Sequence, residues 1–392
     1  MSAGSSDLSR RLGLRGAVTI GVGAMLGTGV FAVWTPAVAL SGSALLASLA
    51  IAAIIAALNA ASTARLAADL PVSGGAYAYG RAHISRTAGL VAGYAFILGK
   101  SASASAAALT IGLYLSPENA RVIAVSAVVV ILLLDLQGIT RSTRVTTVLI
   151  IVVVTVLAVL VVMWWRSQSV ETTSLQALPT GSLSGVVAGA GLVFVAFAGY
   201  ARITVLGAEV RSPQRIIPRA VAISFVVVLM IYLAIGLTVL SALNELGGLG
   251  DAALDTVARQ VGGEALALAV TVAAVMAAGA VLLSLIAGIG RTVFAMSSHG
   301  DAPAALRKVG GRSQIPTRGS MVAAAIAVGI VLIGGLGEAL AVSGSSILIY
   351  YAVAHVAAWR RFRRWPSRLV AGLGLVGCVV VAVTVVAVSL ST

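Results

Sequence analysis

The 392-residue sequence is poor in charge, cysteine, histidine and aromatic residues. Charged residues make up 10% of the chain and aromatic residues 5%, whereas hydrophobic residues make up 59%. A single cysteine, Cys378, excludes a disulfide framework within the chain. The three histidines, His83, His299 and His355, lack metal-ligand spacing to one another or to a carboxylate. We therefore expect no metal and no other cofactor.

Acidic residues are also scarce, with 12 Asp and Glu against 26 Lys and Arg, for a formal net charge of +14. Such an excess is compatible with nucleic-acid binding. The mean hydropathy of +1.07 is incompatible with an ordinary soluble domain. The basic residues instead cluster between long apolar runs, as in membrane proteins. We expect contact with membrane lipids and no contact with nucleic acid.

Long apolar runs dominate the chain and predict an all-α polytopic membrane protein with about eleven transmembrane helices. A short amphipathic helix is also expected between Asn244 and Glu264, where Leu254, Val257, Ala258 and Val261 form a stripe. Pro71 and the Gly74–Gly75 pair predict a short break after the second span. The predicted spans cover about 16–40, 43–68, 87–113, 120–136, 145–165, 184–210, 219–243, 265–296, 319–336, 338–358 and 369–390.

The arginines predict the orientation, because cytoplasmic loops are enriched in Lys and Arg. With a cytoplasmic N-terminus, the outside loops hold only Arg121, Arg166 and Arg259. The inside loops hold most of the others, including the Arg360–Arg368 run, which is expected at anionic headgroups. The sequence thus predicts a multi-pass protein of the cell membrane with its C-terminus outside.

Four glycines fall within the first predicted span, at positions 21, 23, 27 and 29. Each costs roughly 1 kcal/mol in a helix interior relative to Ala, so the helix is weakened at mid-membrane depth. Broken backbone at that depth is tolerated where it is buried in protein or lines a wet cavity. The pattern is compatible with a substrate site built from backbone, and also with close helix packing through small residues.

The sixth predicted span carries Gly199 near its middle, with Arg202 close by. Spans one and six begin two successive five-span blocks of opposite orientation. Glycine-interrupted spans at matching positions of inverted halves indicate a midplane site in transporters. We predict one transmembrane domain over residues 1–392, with repeat one at about 12–166, repeat two at about 182–360 and an extra helix at about 369–390.

Three motifs resemble those of the amino acid–polyamine–organocation (APC) superfamily of secondary transporters, which share the LeuT-type fold. They lie at residues 23–31 (Gly-Ala-Met-Leu-Gly-Thr-Gly-Val-Phe), at 70–79, and at 194–200 followed by 209–218. A weaker fourth motif lies at 291–303. The resemblance covers roughly residues 12 to 320 and implies a 5+5 inverted repeat with helices 1 and 6 broken. It also implies an amino acid permease that works by alternating access.

The resemblance also implies a substrate site between the two broken spans. The substrate carboxylate would meet N–H groups and the hydroxyl of Gly27, Thr28 and Gly29. Its ammonium group would meet carbonyl groups at the ends of the preceding half-helices. Aromatic side chains of span six would act as gate or pocket residues, with ordinary packing as the alternative. The expected substrate-binding residues are Ala24, Met25, Gly27, Thr28, Gly29, Phe197, Ala198, Gly199 and Tyr200. Arg202 is added to them from its position alone, and it either pairs with an anionic group of the substrate or holds a gate.

Several residues depart from the family pattern and bear on coupling. Ala201 and Arg202 stand where many members carry an acidic residue, and span five lacks the lysine found in some sodium-independent relatives. Lys100 lies 14 residues beyond Arg86, about 21 Å deeper along its helix. It either replaces a coupling cation or titrates with transport, because burial disfavours a charged amine; the alternative is a structural lysine. Ser284 is the only hydroxyl near the middle of span eight, so this span offers few side-chain oxygen ligands for a sodium ion. We therefore expect proton coupling or exchange rather than sodium coupling.

Other classes of function remain open at this stage. A polyamine or organic-cation transporter of the same fold is one alternative, although Lys100 and Arg202 oppose a cationic substrate electrostatically. A non-transporting membrane sensor or partner subunit is another. An intramembrane hydrolase lacks a recognisable nucleophile and base, so we do not expect an enzyme.

Overall fold

The structure, a computed structural model, describes residues 13–70, 74–138, 143–168, 180–202, 212–310 and 316–391. Within these ranges the regular structure is helical, apart from one isolated bridge between Gly42 and Thr180. The helices are α1 (Leu14–Met25), α2 (Gly29–Ala32), α3 (Trp34–Ser41), α4 (Leu45–Asp69), α5 (Ala76–His83), α6 (Arg86–Leu115), α7 (Ala120–Leu136), α8 (Thr143–Ser167), α9 (Leu183–Phe197), α10 (Pro213–Leu246), α11 (Ala253–Ser298), α12 (Thr317–Ile333), α13 (Leu336–Arg361) and α14 (Trp365–Ser391).

Ten helical segments in the described ranges are long and apolar enough to cross a membrane. An additional shorter apolar helix, α12, lies at the ninth predicted span. Each predicted span therefore coincides with a helical segment, except that residues 203–210 of span six lie outside the described residues. The prediction of an all-α polytopic membrane protein is confirmed. The first span is broken as expected, because α1 ends at Met25 and α2 begins at Gly29.

The helix predicted between Asn244 and Glu264 is present, but it is not a separate element. Residues from Ala253 onward are helical and continue into span eight through a kink at Gly263, where φ is 59°. Glycine adopts this left-handed backbone without a steric penalty. The apolar stripe of this segment, Leu254, Val257 and Ala258, is fully buried. The segment thus packs onto the bundle through the face that the sequence indicated.

Helix α5 occupies part of the connection predicted as a break between spans two and three. Residues 71–73 lie outside the described residues. Gly74 and Gly75 have positive φ values of 114° and 54°, which explains why glycines stand there. This turn packs against α13, where the Tyr350 hydroxyl accepts a hydrogen bond from the Ala76 N–H at 2.9 Å.

Helices α6, α9 and α13 form the buried centre of the bundle. In each, 72% of the most apolar stretch is buried, against 17% in α8, so α8 faces the surroundings. Small residues bring α6 and α13 together: Gly99 packs on Ser346 and Ile347, and the Ser103 and Ser343 hydroxyls lie 2.6 Å apart. The central helices therefore meet through close backbone approach, as expected in membranes.

Asp301, just after α11, joins the start of α6 and helix α5 to the end of α11. Its carboxylate is inaccessible to solvent and forms ion pairs with Arg81 and with Arg86, the latter at 2.8 Å. The Tyr77 hydroxyl donates to the same carboxylate at 2.7 Å, and the Tyr94 hydroxyl donates to the Asp301 carbonyl at 3.0 Å. We call this group the Asp301 cluster. It secures one end of the bundle.

The Asp301 cluster shifts the ionisation of its members. Burial acts to raise the pKa of Asp301, but the hydrogen bonds from Tyr77, Arg86 and Arg81 outweigh it, so the pKa of this carboxyl is lowered. Burial and the bond to Asp301 raise the pKa of Tyr77 to about 12. Tyr77 therefore remains a neutral donor and Asp301 a charged acceptor over the physiological pH range.

Candidate functional site

The break in the first span exposes backbone donors inside the protein. The Leu26 N–H closes α1 by donating to the Val22 carbonyl at 2.7 Å. The next three N–H groups, of Gly27, Thr28 and Gly29, donate to no acceptor among the described residues. The Thr28 hydroxyl is also buried without a partner. Unpaired buried donors are rare, so these four neighbouring donors favour an anionic or carbonyl ligand here.

The break in the sixth span lies directly against the first. Helix α9 ends at Phe197 and is followed by a 3-10 turn from Ala198 to Tyr200. A Cβ atom at Gly199 would overlap the Ala24 carbonyl oxygen of α1. A Cβ atom at Gly29 would lie 2.5 Å from the Ala196 Cα. Only glycine permits these approaches, which bring the predicted site residues of both spans together.

The glycines of the first span serve packing as well. Gly23 contacts the Ile150 side chain on α8, and Gly27 contacts Val281 on α11. The close-packing interpretation of the glycine cluster therefore applies to this structure, and the substrate site stays a prediction. A cavity of about 40 Å³ remains beside Gly23, Leu26 and Gly27. This volume accommodates no more than a few water molecules, so the break in the first span packs closely against α8 and α11.

Tyr232 on α10 is a site residue that the sequence analysis missed. Its hydroxyl donates to the Met25 carbonyl at 2.6 Å and lies 3.2 Å from the Ala196 carbonyl. It thereby satisfies the last carbonyl groups of the two half-helices with one fully buried side chain. The signal in the sequence was a tyrosine in the middle of an otherwise apolar span.

The two aromatic residues expected at the gate are both fully buried. The Phe197 ring lies between Phe225, at 5.3 Å, and Tyr232, at 5.1 Å. The Tyr200 ring lies 5.8 Å from that of Tyr351 on α13. In this arrangement both rings pack in the bundle and do not line an open passage.

Lys100 lies inside the bundle at the groove between α11 and α13. One turn earlier, Ile97 packs on Ile289 and Val293 of α11, whereas the adjacent Gly99 packs on α13. The helical repeat places Lys100 between these two contacts. It is half-buried and forms no hydrogen bond or ion pair with the described part of the chain.

Arg202 reaches α11, where one guanidinium nitrogen donates to the Ser284 hydroxyl. The structure therefore brings together Arg202, which was expected at the substrate, and Ser284, which was considered for ion coupling. Asp135, the buried carboxylate on α7, has one oxygen without a partner and forms no ion pair with Arg202 or Lys100 among the described residues. Glu209, part of the third family motif, lies outside the described residues.

Two juxtaposed helix breaks, each built on glycine, are characteristic of transporters rather than of channels or enzymes. In agreement, residues 12–392 match the model of the amino acid permease family. The chain belongs to this family. It is therefore a member of the APC superfamily and a multi-pass membrane transporter, in a family of permeases and not of enzymes.

Individual relatives of this permease carry different names. An uncharacterized transporter of Mycobacterium tuberculosis is 38% identical over 96% of this chain and 86% of its own length. The branched-chain amino acid permease BcaP of Bacillus subtilis is 23% identical over 80% of this chain and 73% of its own length. The methylthioribose transporter of the same bacterium is 26% identical over 83% and 75%, respectively.

Proposed function

We propose that this permease is a secondary active transporter that carries amino acids by alternating access at the two breaks. The observation that supports it is the group of four unpaired donors at Gly27, Thr28 and Gly29, beside the contacts of Gly29 with Ala196 and of Gly199 with Ala24. An α-carboxylate fits such a donor group, because charge-assisted hydrogen bonds to backbone N–H groups are strong. The carbonyl groups around Ala24, Met25, Phe197 and Ala198 offer a counterpart for an ammonium group.

The ammonium contact needs space that the present arrangement does not offer. The Met25 carbonyl already accepts from Tyr232, although a carbonyl oxygen has a second lone pair. The cavity of about 40 Å³ beside Gly23, Leu26 and Gly27 has room for a few water molecules and not for an amino acid. We therefore propose that substrate entry moves the two half-helices apart, with Phe197, Tyr200 and Arg202 changing their contacts as the site opens.

The coupling is proposed to be to protons, or to exchange, and not to sodium. Ser284 receives a hydrogen bond from the Arg202 guanidinium, so a fixed positive charge already lies beside the hydroxyl that a sodium ion would use. Lys100 adds a second positive charge in the interior. Both residues also disfavour polyamines, because like charges repel strongly in a low-dielectric interior.

The orientation and the repeats are part of the same proposal. The N-terminus is cytoplasmic and the C-terminus outside, with repeats over about 12–166 and 182–360 and an extra helix at about 369–390. The opposite directions of α1 and α9, each ending at its break next to the other, agree with inverted halves. The protein is placed in the cell membrane.

Counterflow in proteoliposomes tests the function. Vesicles with purified protein are loaded with one unlabelled amino acid, and uptake of the labelled form is measured; putrescine, agmatine and methylthioribose are tested in parallel. Transient accumulation of an amino acid, unchanged when choline replaces sodium, is expected. Counterflow of putrescine or methylthioribose alone would assign a different substrate class, and none with any compound would favour a sensor or partner subunit.

Thermal unfolding in detergent provides an independent readout of binding. A ligand that binds only the folded state stabilises it by RT ln(1 + [L]/Kd), or about 2.7 kcal/mol at 100 times Kd. The amino acid that gives counterflow should raise the unfolding temperature, and putrescine should not. A stabilising ligand without counterflow would indicate binding without transport.

A further inference from the structure

A second set of buried polar side chains lies away from the helix breaks, where helices α4, α13 and α14 meet. His355 on α13 is 1% exposed, and its Nε2 lies 2.6 Å from the Asn59 Oδ1 on α4. The Cys378 thiol on α14 donates to the same oxygen at 3.2 Å. Gly374 leaves the room for the imidazole, because a Cβ atom there would overlap the ring. Ionisable groups inside a membrane bundle are expensive and usually functional.

The hydrogen bonds define the protonation of this histidine. The Asn59 Oδ1 is an acceptor, so the proton of the neutral imidazole is on Nε2. The other ring nitrogen, Nδ1, is then an acceptor, and it is buried without any partner in the described structure. The Asn59 Nδ2 is a buried donor, also without a partner. A free lone pair on a buried imidazole is a site for one proton.

A proton on Nδ1 is not accommodated in this arrangement. It would become a second buried donor and find no acceptor among the described residues, and a charged imidazolium needs paired hydrogen bonds. Protonation therefore favours a different packing of α13 against α4 and α14. A group whose two protonation states prefer different packings is a two-state element that a proton gradient can bias.

The histidine is linked to the helix break by aromatic contacts. Tyr351 lies one turn before His355 on α13, and its ring packs on Phe194 of α9 at 6.0 Å and on Tyr200 at 5.8 Å. The Tyr200 hydroxyl is buried near the Tyr351 hydroxyl but completes no hydrogen bond of good geometry. Cys378 is close enough to both tyrosines to interact electrostatically. A movement of α13 at His355 is thus transmitted through Tyr351 to the break in the sixth span.

No charged side chain in the described structure pairs with His355. The titratable groups that face it are Cys378 on α14, Tyr351 on α13 itself and Tyr200 in the turn after α9. On α4, Arg65 and Asp69 lie about 9 and 15 Å further along the helix from Asn59, and Asp69 is paired with Arg361. Helices α6 and α5 contact α13 through Ser346, Tyr350 and Val353, which lie on other faces, so Lys100, Tyr77, Tyr79, Arg81 and His83 are directed elsewhere.

We propose that His355, held by Asn59, binds the proton whose movement drives transport. The inference rests on the carrier function proposed above and adds the identity of the coupling residue. A proton taken up at Nδ1 from one side of the membrane is released to the other side after the site has changed its opening. Exchange of substrate for substrate needs no net proton movement and so does not require His355.

The experiment compares two modes of transport in the same proteoliposomes, with a uniformly labelled mixture of the protein amino acids as probe. Counterflow reports the carrier. Net uptake driven by an acid exterior reports proton coupling; with one proton per substrate, a gradient of about two pH units supports up to about 100-fold accumulation. His355→Gln is expected to keep counterflow within about twofold of the unsubstituted protein and to lose gradient-driven uptake at least about tenfold. The matched control, His299→Gln, alters a histidine outside the bundle core and should change neither.

Several results would overturn the proposal. His355→Gln with full gradient-driven uptake would show that the proton binds elsewhere. Gradient-independent uptake by the unsubstituted protein, with counterflow intact, would reject proton coupling and leave the carrier function standing. Absence of counterflow in the unsubstituted protein would reject the carrier function, and the inference with it.

A second variant covers the case in which His355→Gln does not fold. Asn59→Asp places a carboxylate beside the imidazole and favours its charged form, because an opposite charge nearby stabilises an ion. The midpoint of the pH dependence of net uptake should move to higher pH by at least about one unit. An unchanged midpoint in a folded Asn59→Asp protein would contradict a titrating His355.

Discussion

A methyl group at position 199 would overlap the Ala24 carbonyl oxygen, so the two breaks approach closely only because this residue is glycine. Gly199→Ala should therefore separate the half-helices and lower the counterflow rate at least about tenfold, or about 1.4 kcal/mol. Gly329→Ala on α12 is the matched control, since its Cβ meets no atom within 4 Å. Equal counterflow by both variants would mean that the close approach is not needed for transport.

The Tyr232 hydroxyl is the second residue-level feature on which the site depends. Tyr232→Phe keeps the ring against Trp34 and Phe197 but leaves the Met25 and Ala196 carbonyl groups without their donor. Loss of a buried hydrogen bond costs about 1–3 kcal/mol, so the unfolding temperature in detergent should fall. Tyr200→Phe removes a hydroxyl that has no partner, and should leave this temperature unchanged or higher. A stable Tyr232→Phe protein would show that water replaces the hydroxyl.

At the scale of elements, the Asp301 cluster holds α5, α6 and α11 together by charge. The pKa of Asp301 is lowered in the folded protein, so its ionised form stabilises the fold at pH values above the unfolded pKa of about 3.9. This stabilisation is lost as the pH falls through the folded pKa. Between pH 5 and 9 we expect the ion pairs and hydrogen bonds of the Asp301 cluster to remain intact.

Asp301→Asn tests this cluster. It should destabilise the protein by about 1–3 kcal/mol at pH 7, because charge-assisted bonds to Arg81, Arg86 and Tyr77 are weakened. The difference in stability between this variant and the unsubstituted protein should become smaller below about pH 4, as measured by thermal unfolding at a series of pH values. Asp251→Asn, in an exposed loop, is the control. A difference that stays constant with pH would argue against a charged Asp301.

At the scale of the whole molecule, the uneven distribution of arginines predicts which loops face the cytoplasm. Because Cys378 is the only cysteine, a Cys378→Ser background allows single cysteines to be placed at exposed loop positions. Asp251→Cys should react with a membrane-impermeant maleimide on intact cells, whereas Lys308→Cys should react only after permeabilisation. The reverse pattern would invert the proposed topology.

The membrane fold follows from the amino-acid sequence alone, because spanning a bilayer requires long apolar runs, and these give a hydropathy pattern that does not depend on tertiary contacts. It also predicted a break at the glycines of the first span and a short helix between Asn244 and Glu264, since glycine content and apolar periodicity are local properties. The family motifs added the expectation of an amino acid permease, and the family membership is confirmed.

Contacts between distant parts of the chain emerge only from the packing of the helices. Asn59, His355 and Cys378 are far apart in sequence, and each lies in an apolar span whose pattern does not distinguish it from a solitary packed residue. Tyr232 and the Arg202–Ser284 bond were hidden for the same reason. Side-chain hydrogen bonds in a bundle depend on helix rotation and depth, which are set by packing against neighbouring helices and not by the composition of any one span.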